Sequence, residues 1–575
     1  MKKILIIIPL MIMSGLTLSA QTDQQDLDRE VTMYNPYKPS LPEFNKRSFL
    51  PDINDTLKLR PDFTYDIVTS AFTPSYTISP IKPASLDPDP LPKLYKSYLK
   101  LGFGNYITPM AELSITNERS KKGAIGFYGR HFSTNGQIRL KEDVEKVFAG
   151  YMDNDLSLYG KKFFRGSLLK GSVDFTQKLR YAYGYDTSFV DYEAEKKEIR
   201  MGYNNLAADI SFASLTLDSS SYSYDFNVNY DYFYHTNKKS QHNIGLTGSM
   251  ATKYEGFYIG SGIDIQYFML SESLSDQSKY LASLSPFVKK STPQWNFKAG
   301  LQLLLDRNMT DKPKFHIYPD VNFGFSVVPS YVRFFAALNG KLEINEPKKI
   351  IEENPFILRD GSLFKQLNTS HNLIISAGLN GNNGIGGNYV VSASYSLIND
   401  MLFYANMVDT IDMISAEKGN MFIVLPDDGE VLNIHGEMTG SIKDKIIYGA
   451  EANFYKYSLT LYDFPINRPD WDATLGLKYN LRNKIIVGAE VMALGKRQQA
   501  YMQRSTFGTT LVSTFVKLPE VEPVHVNINL SAEYRYTKIL SFWLKVNNIA
   551  FNKYYEYAFY PTQRFVCMIG FSYSL

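Results

Sequence analysis

One histidine and one serine, His131 and Ser133, stand at a spacing that could support nucleophilic catalysis. Residues two apart share one face of an extended strand, so the imidazole could act as general base toward the serine hydroxyl. Catalysis by such a pair also needs a third group, an acid or an amide, which orients the imidazole. The sequence offers no identifiable group of this kind for His131.

Residues 131–136, which read His-Phe-Ser-Thr-Asn-Gly, resemble the His-x-Ser-Asn-Gly strand of outer-membrane phospholipases, although Thr134 interrupts the pattern. Ile125 and Phe127 share the face of the pair and would point it toward lipid. Without the orienting group, the pattern favours a strand end that runs into a polar loop. We therefore predict no enzymatic activity, and a phospholipase-like hydrolase stays open as an alternative.

Other candidates for chemistry are weak. Residues 153–155, Asp-Asn-Asp, lack the glycine and the closing glutamate of a calcium loop, so we predict a polar loop there. Residues 384–387 are glycine-rich but precede a strand, which predicts a turn and no phosphate site. No HExxH motif occurs, and the histidines are scattered, at His131, His235, His242, His316, His371, His435 and His525. The single cysteine, Cys567, excludes an intramolecular disulfide, a multi-cysteine zinc cluster and a CxxC redox site. Because each of these motifs is weak, we predict no catalytic, cofactor or metal site.

The elements that carry these residues alternate apolar and polar side chains from Lys93 onward. The longest alternating run covers residues 524–536, and runs at 222–234, 295–305 and 473–479 repeat it. Strands of soluble sheets average about 5–6 residues, whereas the longest of these runs could cross a hydrocarbon layer at a tilt. Turn signals separate the runs, among them residues 380–384, 427–429 and 482–484. The pattern predicts an all-β, transmembrane antiparallel β-barrel of about 22 strands over residues 93–575.

Composition agrees with a strand-built membrane protein. The 575 residues include 42 Tyr, 37 Phe and 3 Trp, while the mean hydropathy of −0.23 is too low for a helical membrane protein. A net charge of +3 argues against a nucleic-acid binder. Charged residues on the predicted lumen face are expected to form a solvated or ion-paired wall, and they include Lys298, Lys478, Glu490, Glu533 and Arg535.

The N-terminal part has two sections. Residues 1–20 combine a basic start, an apolar run and small residues before Gln21, which predicts a secretory signal peptide. Residues 21–92 hold eleven of the 26 prolines together with spaced aromatic residues. This composition predicts an extended segment that docks on the barrel lumen, its periplasmic rim or a partner protein, with a disordered linker as the alternative.

The C-terminal end carries the most specific pattern. Residues 564–575 alternate up to the last position, as expected of a strand that closes a barrel. Residues 545–555, Lys-Val-Asn-Asn-Ile-Ala-Phe-Asn-Lys-Tyr-Tyr, resemble the Asn-Asn-hydrophobic-x-x-Asn-Lys-x-Tyr segment near the end of TonB-dependent receptors, and residues 560–565 fit the same ending. The resemblance implies a 22-stranded outer-membrane barrel. Residues 21–92 differ from the folded plug of that family, and they show no energy-coupling motif.

These patterns predict an outer-membrane protein that acts in transport and uses no cofactor. The alternative is a non-transporting accessory subunit of an outer-membrane assembly. The expected partners are outer-membrane lipids and, through residues 21–92, other outer-membrane or periplasmic proteins, with no nucleic acid.

Overall fold

The computed structural model describes residues 95–575 except 118–119, 121, 142–145, 186–194, 216–221, 236–239, 271–277, 309–311, 359–365, 385, 410–417, 444 and 508–509. The predicted signal peptide and the predicted docking segment lie outside these residues. Among the described residues, no helix has the length and apolarity needed to cross a membrane.

Twenty-eight strands and one short helix make up the described chain. The first fourteen strands are β1 (Ser97–Gly104), β2 (Thr108–Thr116), β3 (Gly123–Thr134), β4 (Gln137–Arg139), β5 (Lys146–Phe148), β6 (Tyr151–Phe163), β7 (Ser167–Tyr181), β8 (Arg200–Ser214), β9 (Ser223–His235), β10 (Ser240–Tyr254), β11 (Phe257–Leu270), β12 (Lys279–Ser291), β13 (Trp295–Arg307) and β14 (Lys314–Val328). The remaining elements are β15 (Val332–Glu343), α1 (Pro347–Glu353), β16 (Thr369–Asn382), β17 (Gly387–Asp409), β18 (Lys418–Ile442), β19 (Ile446–Leu459), β20 (Trp471–Leu481), β21 (Ile485–Leu494), β22 (Arg497–Phe507), β23 (Thr510–Glu522), β24 (His525–Arg535), β25 (Leu540–Asn547), β26 (Tyr555–Tyr557), β27 (Tyr560–Pro561) and β28 (Val566–Ser574).

Twenty-two of these strands form a closed antiparallel barrel, which confirms the predicted fold class and strand number. The last strand pairs with the first, with Phe571 opposite Leu101, so the sheet closes on itself. The hairpins β4–β5 and β26–β27 form separate two-stranded sheets. The hairpin β22–β23 also lies outside the ring, because β21 pairs directly with β24 while β22 pairs in parallel with the end of β17.

The two faces of the wall follow the alternation in the sequence. On β24, Val526, Leu530 and Tyr534 are 36%, 43% and 41% exposed, as expected of side chains that face lipid in a membrane. The opposite face carries polar contacts, such as the amide of Asn529 donating to Glu490 at 3.1 Å. Other predicted wall charges are ion-paired, with Lys298 2.5 Å from Asp320 and Arg535 3.2 Å from Glu533.

The two ends of the barrel differ in loop length. At one end the strands join by short turns, such as the two-residue turn of Glu255 and Gly256, whose φ angles of 48° and 82° fit a type I′ hairpin. At the other end lie loops that contain β4–β5, α1, β22–β23 and β26–β27. Outer-membrane barrels place short turns in the periplasm and long loops outside the cell, so we call these the periplasmic and external ends.

Two predictions about turns need correction. Residues 153–155 lie inside β6 and do not form a loop. Asp153 and Asp155 share the lumen face of this strand, where each pairs with an arginine. Three consecutive polar residues conceal this alternation in the sequence. Residues 427–429 lie inside β18, next to a register shift opposite Ile398 and Met401. β17 and β18 therefore continue past the predicted turn. The turn predicted at residues 482–484 is confirmed, with positive φ at Arg482 and Asn483.

Candidate functional site

Loops at the external end meet in one hydrophobic cluster, which we call the loop core. Its members come from β7, β8, β9, the segment around α1, β17, β18 and the last long loop. They are Tyr181, Ala182, Ile199, Met201, Tyr203, Phe233, Ile350, Ile351, Phe356, Ile357, Leu402, Phe422 and Tyr560. In the ring of 22 strands, β8 is the sixth and β17 the fifteenth, so these wall segments lie on nearly opposite sides. The loop core therefore bridges the lumen.

Tyr560 is at the centre of the loop core. Its ring is 1% exposed and stacks on Phe356 with ring centroids 4.0 Å apart. Tyr183 packs against the same ring at 4.9 Å, and the Tyr560 hydroxyl donates a hydrogen bond to the carbonyl oxygen of Asn420. A buried tyrosine needs a hydrogen-bond partner for its hydroxyl, and Tyr560 has one. Three segments that are distant in sequence thus meet on one side chain.

Asparagine side chains add polar links between the loops. The Asn406 amide donates to the carbonyl oxygens of Gly419, at 2.6 Å, and Ala558, at 3.2 Å. The Asn420 amide donates to the carbonyl oxygen of Ala182 at 3.4 Å. Both asparagines are buried, and their amide nitrogens have specific partners, whereas the side-chain oxygen of Asn406 has none among the described residues. These bonds join β17 and β18 to the last loop and to the loop after β7.

The segment around α1 is fastened to the wall by polar contacts. Gln241 donates to Glu346 at 2.5 Å, and Lys348 pairs with Asp231 at 2.8 Å. Lys279, which is 3% exposed, donates to the carbonyl oxygen of Asn345 at 3.0 Å. Burial raises the pKa of Glu346, while the hydrogen bond from Gln241 and the charge of Lys348 act in the opposite direction. The segment that carries Phe356 is therefore held at its start by charged and amide groups.

A cavity of about 630 Å³ lies beside the loop core on the lumen side of β15 to β19, and we call it the lumen cavity. Its lining combines carboxylates, cations, amides and tyrosines. The polar and aromatic lining residues are Glu343, Asn345, Lys349, Glu353, Thr369, His371, Tyr404, Asn433, Tyr455, Tyr457, Asn467, Arg468, Glu556 and Tyr557. Volumes of about 300–1,000 Å³ are typical of sites for small molecules.

Several charged groups of the lumen cavity already contact one another. Lys349 lies 2.7 Å from Glu343, and the His371 imidazole is 3.2 Å from the other oxygen of that carboxylate. The Tyr404 hydroxyl donates to Glu353 at 2.5 Å. This network provides both acceptors and donors around aromatic faces, which suits a polar organic molecule. Across the described part of the chain, no three metal-ligating side chains come together.

The predicted His131 and Ser133 pair lies far from the lumen cavity in the ring of strands, on β3. His131 Nε2 is 3.1 Å from the Ser133 hydroxyl oxygen, so the spacing predicts their contact correctly. The other ring nitrogen is 2.6 Å from the side-chain oxygen of Asn154 on β6. This orienting amide is not apparent from the sequence, because Asn154 stands between two acidic residues that favour a loop and only the register of β3 with β6 brings it opposite His131.

The segment that resembles TonB-dependent receptors ends β25 and begins the last loop. Asn548 has a φ of 51°, its amide donates to the carbonyl oxygen of Asn552 at 2.8 Å, and its side-chain oxygen accepts from the Asn552 backbone at 3.2 Å. The Asn552 amide donates to the carbonyl oxygen of Val526 on β24 at 2.9 Å. The two asparagines therefore fix the start of the loop that carries Tyr560.

Comparison with solved structures gives the same fold, whereas no protein-family model and no curated protein sequence matches the chain. The copper transporter OprC aligns with a TM-score of 0.60 and 11% identity, over 84% of this chain and 81% of its own. The FrpB iron transporter from Neisseria meningitidis aligns with a TM-score of 0.61 and 12% identity, over 84% of this chain and 82% of its own. The siderophore receptor PirA from Acinetobacter baumannii aligns with a TM-score of 0.62 and 9% identity, over 84% of this chain and 81% of its own. These neighbours are TonB-dependent receptors, so the predicted resemblance is confirmed as a likeness of fold.

Proposed function

We propose that the chain is an outer-membrane transport protein that receives a polar organic solute in the lumen cavity. The observation that carries the proposal is the position of this cavity, inside a closed wall of 22 strands and directly beside the loop core. A barrel whose lumen holds a lined cavity next to a bridging set of loops is suited to admit and hold a solute. The transporters and the siderophore receptor with the same fold support this reading.

The loop core is the external gate in this proposal. It bridges the lumen through Tyr560, so a solute that enters from outside must displace these packed rings or pass beside them. One aromatic pair contributes about 0.5–1.5 kcal/mol beyond the area it buries, and Tyr560 packs against several rings. Displacing the Tyr560 ring therefore loses the free energy of a few aromatic contacts, and the binding of a solute in the lumen cavity can offset this loss.

The lining of the lumen cavity suggests the class of solute. Lys349 and Arg468 can meet carboxylate or hydroxyl oxygens, and Glu353 can accept from hydroxyl or amine groups. Tyr455 and Tyr457, whose ring centroids are 6.2 Å apart, offer flat faces for stacking. A small polar molecule with hydroxyl groups fits this mixture better than a bare metal ion does.

For the N-terminal part, we propose export by the signal peptide at residues 1–20 and a docking role for residues 21–92. The spaced aromatic residues of that segment, each able to bury about 150–250 Å², support docking. Limited proteolysis of the protein alone and in native membrane extract tests the docking role. Rapid cleavage throughout 21–92 under both conditions contradicts it, while protection only in the extract indicates a partner and favours the accessory-subunit alternative.

Planar-bilayer conductance tests transport most simply. We would compare the full-length protein with a form that lacks residues 21–92, after checking each barrel by its heat-modifiable migration in gels. Conductance in either form supports a transport barrel, and conductance only on deletion indicates that residues 21–92 plug the lumen. If neither form conducts, even when solutes are added on the external side, the transport proposal is contradicted.

A further inference from the structure

Three side chains on the outer wall of the barrel stand in the order nucleophile, base and orienting group. Ser133 and His131 are on β3 and Asn154 lies on the adjacent strand β6, directly opposite His131 in the register. The distances are 3.1 Å from His131 Nε2 to the serine oxygen and 2.6 Å from His131 Nδ1 to the asparagine oxygen. Each nitrogen of the imidazole thus contacts the partner that hydrolysis by a serine requires.

The hydrogen bonds around Asn154 also set the tautomer of His131. The Asn154 amide nitrogen donates to Gln177 at 2.9 Å, and the Gln177 amide donates to Asn204 at 2.9 Å. This chain turns the Asn154 oxygen toward His131, so Nδ1 carries the hydrogen and donates it to that oxygen. Nε2 is then the unprotonated nitrogen, and it faces the Ser133 hydroxyl. The base is therefore positioned to accept the serine proton.

The three side chains face the lipid side of the wall. His131 shares its strand face with Ile125, which is 61% exposed, and Asn154 shares its face with Leu156 and Leu158, which are 45% and 51% exposed. β3 ends at Thr134, so the site lies at the external edge of this apolar band. Lipid acyl chains would run along the exposed leucines, with their ester groups near Ser133.

Small residues border the reactive pair on its other side. In the register, Ala111 of β2 is opposite His131, and Gly129 precedes His131 by two positions on the same face. Neither residue can fill the space beside the imidazole with a long side chain. A Cβ at Gly129 would lie 3.3 Å from Leu156 and 3.4 Å from the Phe127 ring, so apolar side chains cover the wall directly below the reactive pair. Polar groups thus lie at the external edge with apolar residues below them, which matches the polarity of a lipid ester.

We propose that Ser133, His131 and Asn154 form an esterase site that hydrolyses fatty-acyl esters of lipids in the outer leaflet. This site lies on the opposite face of the wall from the lumen cavity, so it goes beyond the proposed transport role and does not depend on it. The proposal departs from the sequence-based prediction of no enzymatic activity, which rested on the lack of an identifiable orienting group for His131. Asn154 supplies this group.

The reaction needs only the ester and water. Ser133 Oγ attacks the ester carbonyl carbon while its proton passes to His131 Nε2; the carbon–oxygen bond to the alcohol then breaks, and the alcohol oxygen takes that proton. Water attacks the acyl-serine, gives a proton to His131, and releases the fatty acid as Ser133 regains its hydrogen. Asn154 holds the imidazole throughout. An exposed amide, Asn135, follows Ser133 by two residues and is the candidate donor to the negatively charged oxygen.

The test uses the purified full-length protein, with barrel integrity checked by heat-modifiable migration. Release of fatty acid is measured from phosphatidylethanolamine vesicles and, in a separate arm, from purified lipid A. Labelling by a fluorophosphonate probe reports the nucleophile independently of the substrate. We expect Ser133→Ala to abolish labelling and to lower fatty-acid release at least about 100-fold. Ser157→Ala, on the lumen face of β6, is the matched control and should leave both unchanged.

Asn154 is tested as a positioning residue. Asn154→Leu removes the acceptor and should reduce release by about 10- to 100-fold, whereas Asn154→Asp keeps an acceptor oxygen and should restore most activity. Activity in either lipid arm supports the proposal and identifies the lipid source. If neither lipid releases fatty acid and the probe does not label Ser133, the proposal is overturned, and the hydrogen-bonded side chains have only a structural role.

Discussion

The Phe356 and Tyr560 rings stack at 4.0 Å, and through this contact the segment after α1 holds the last long loop of the barrel. Both side chains are buried, at 6% and 1% exposure, although they come from loops that leave the wall at distant strands. A packed contact between such loops resists separation because both aromatic surfaces would enter water. The external end of the lumen is therefore bridged by a small hydrophobic core.

Gly184 allows this core to form, because a Cβ at this position would lie 2.4 Å from the Tyr560 ring. We expect Gly184→Ala to displace the ring and to destabilise the loop core by about 1–3 kcal/mol. Hydrogen exchange of residues 556–562 measures the effect as faster exchange. Gly166→Ala is the control, because no atom lies within 4 Å of its Cβ position. Equal exchange in the two variants would show that Tyr560 is not held by this contact.

Acidic conditions should strengthen the docking of the segment that begins at Glu346. Burial raises the pKa of this carboxyl in the folded state, so the folded form binds its proton more tightly than the unfolded form does. Docking is then strongest below the ordinary carboxyl range and weakens as pH rises through the raised pKa. Hydrogen exchange of residues 347–358, corrected for intrinsic rates between about pH 4 and pH 8, measures this dependence.

Glu346→Gln should flatten that pH dependence and slow exchange at neutral pH. A glutamine oxygen can still accept from Gln241, and its amide can donate to the Gln241 oxygen, which has no partner among the described groups. Glu255→Gln, in the exposed turn between β10 and β11, is the control and should keep the original dependence. A Glu346→Gln protein with an unchanged pH profile would assign the titration to another group.

Asn548 should be sensitive to substitution for two separable reasons. Its φ of 51° is strained for residues with a Cβ, and its side chain makes two hydrogen bonds to the Asn552 backbone. Asn548→Ala loses the bonds and keeps the strain, while Asn548→Gly loses only the bonds and should be about 1 kcal/mol more stable than the alanine variant. The temperature at which heat-modifiable migration is lost measures both. Equal transition temperatures for the alanine and glycine variants would show that backbone strain at this position does not affect stability.

The sequence predicts the wall of this barrel well, because the wall depends on a local period of two. The runs at 222–234, 473–479 and 524–536 are all strands, and the alternating C-terminal run pairs with the first strand. The Asn-Asn-x-x-x-Asn spacing also has a local cause, since both asparagines cap one turn. Wall strands and turn motifs are set by neighbours in sequence or by the adjacent strand.

The loop core and the orienting amide depend on distant contacts that no local pattern contains. Tyr560 and Phe356 stack on each other although they lie far apart in the sequence, and no periodicity links their loops. Asn154 is opposite His131 because of the register between β3 and β6, and its two acidic neighbours made it look like part of a loop. A search for amides on strands next to His131, made with the predicted hairpin register, could have found it.

Solute flux through reconstituted liposomes tests the transport proposal most directly. Four proteins would be compared by swelling in a monosaccharide: the full chain, a form without residues 21–92, and the Tyr560→Ala variant of each. A fifth protein, the Tyr479→Ala variant of the full chain, is the control because it removes an exposed wall tyrosine. We expect the fastest swelling when residues 21–92 are deleted and Tyr560 is replaced in the same protein, and we expect the control to swell at the rate of the full chain. Swelling in the doubly altered protein no faster than in the intact one would contradict a lumen gated by the loop core.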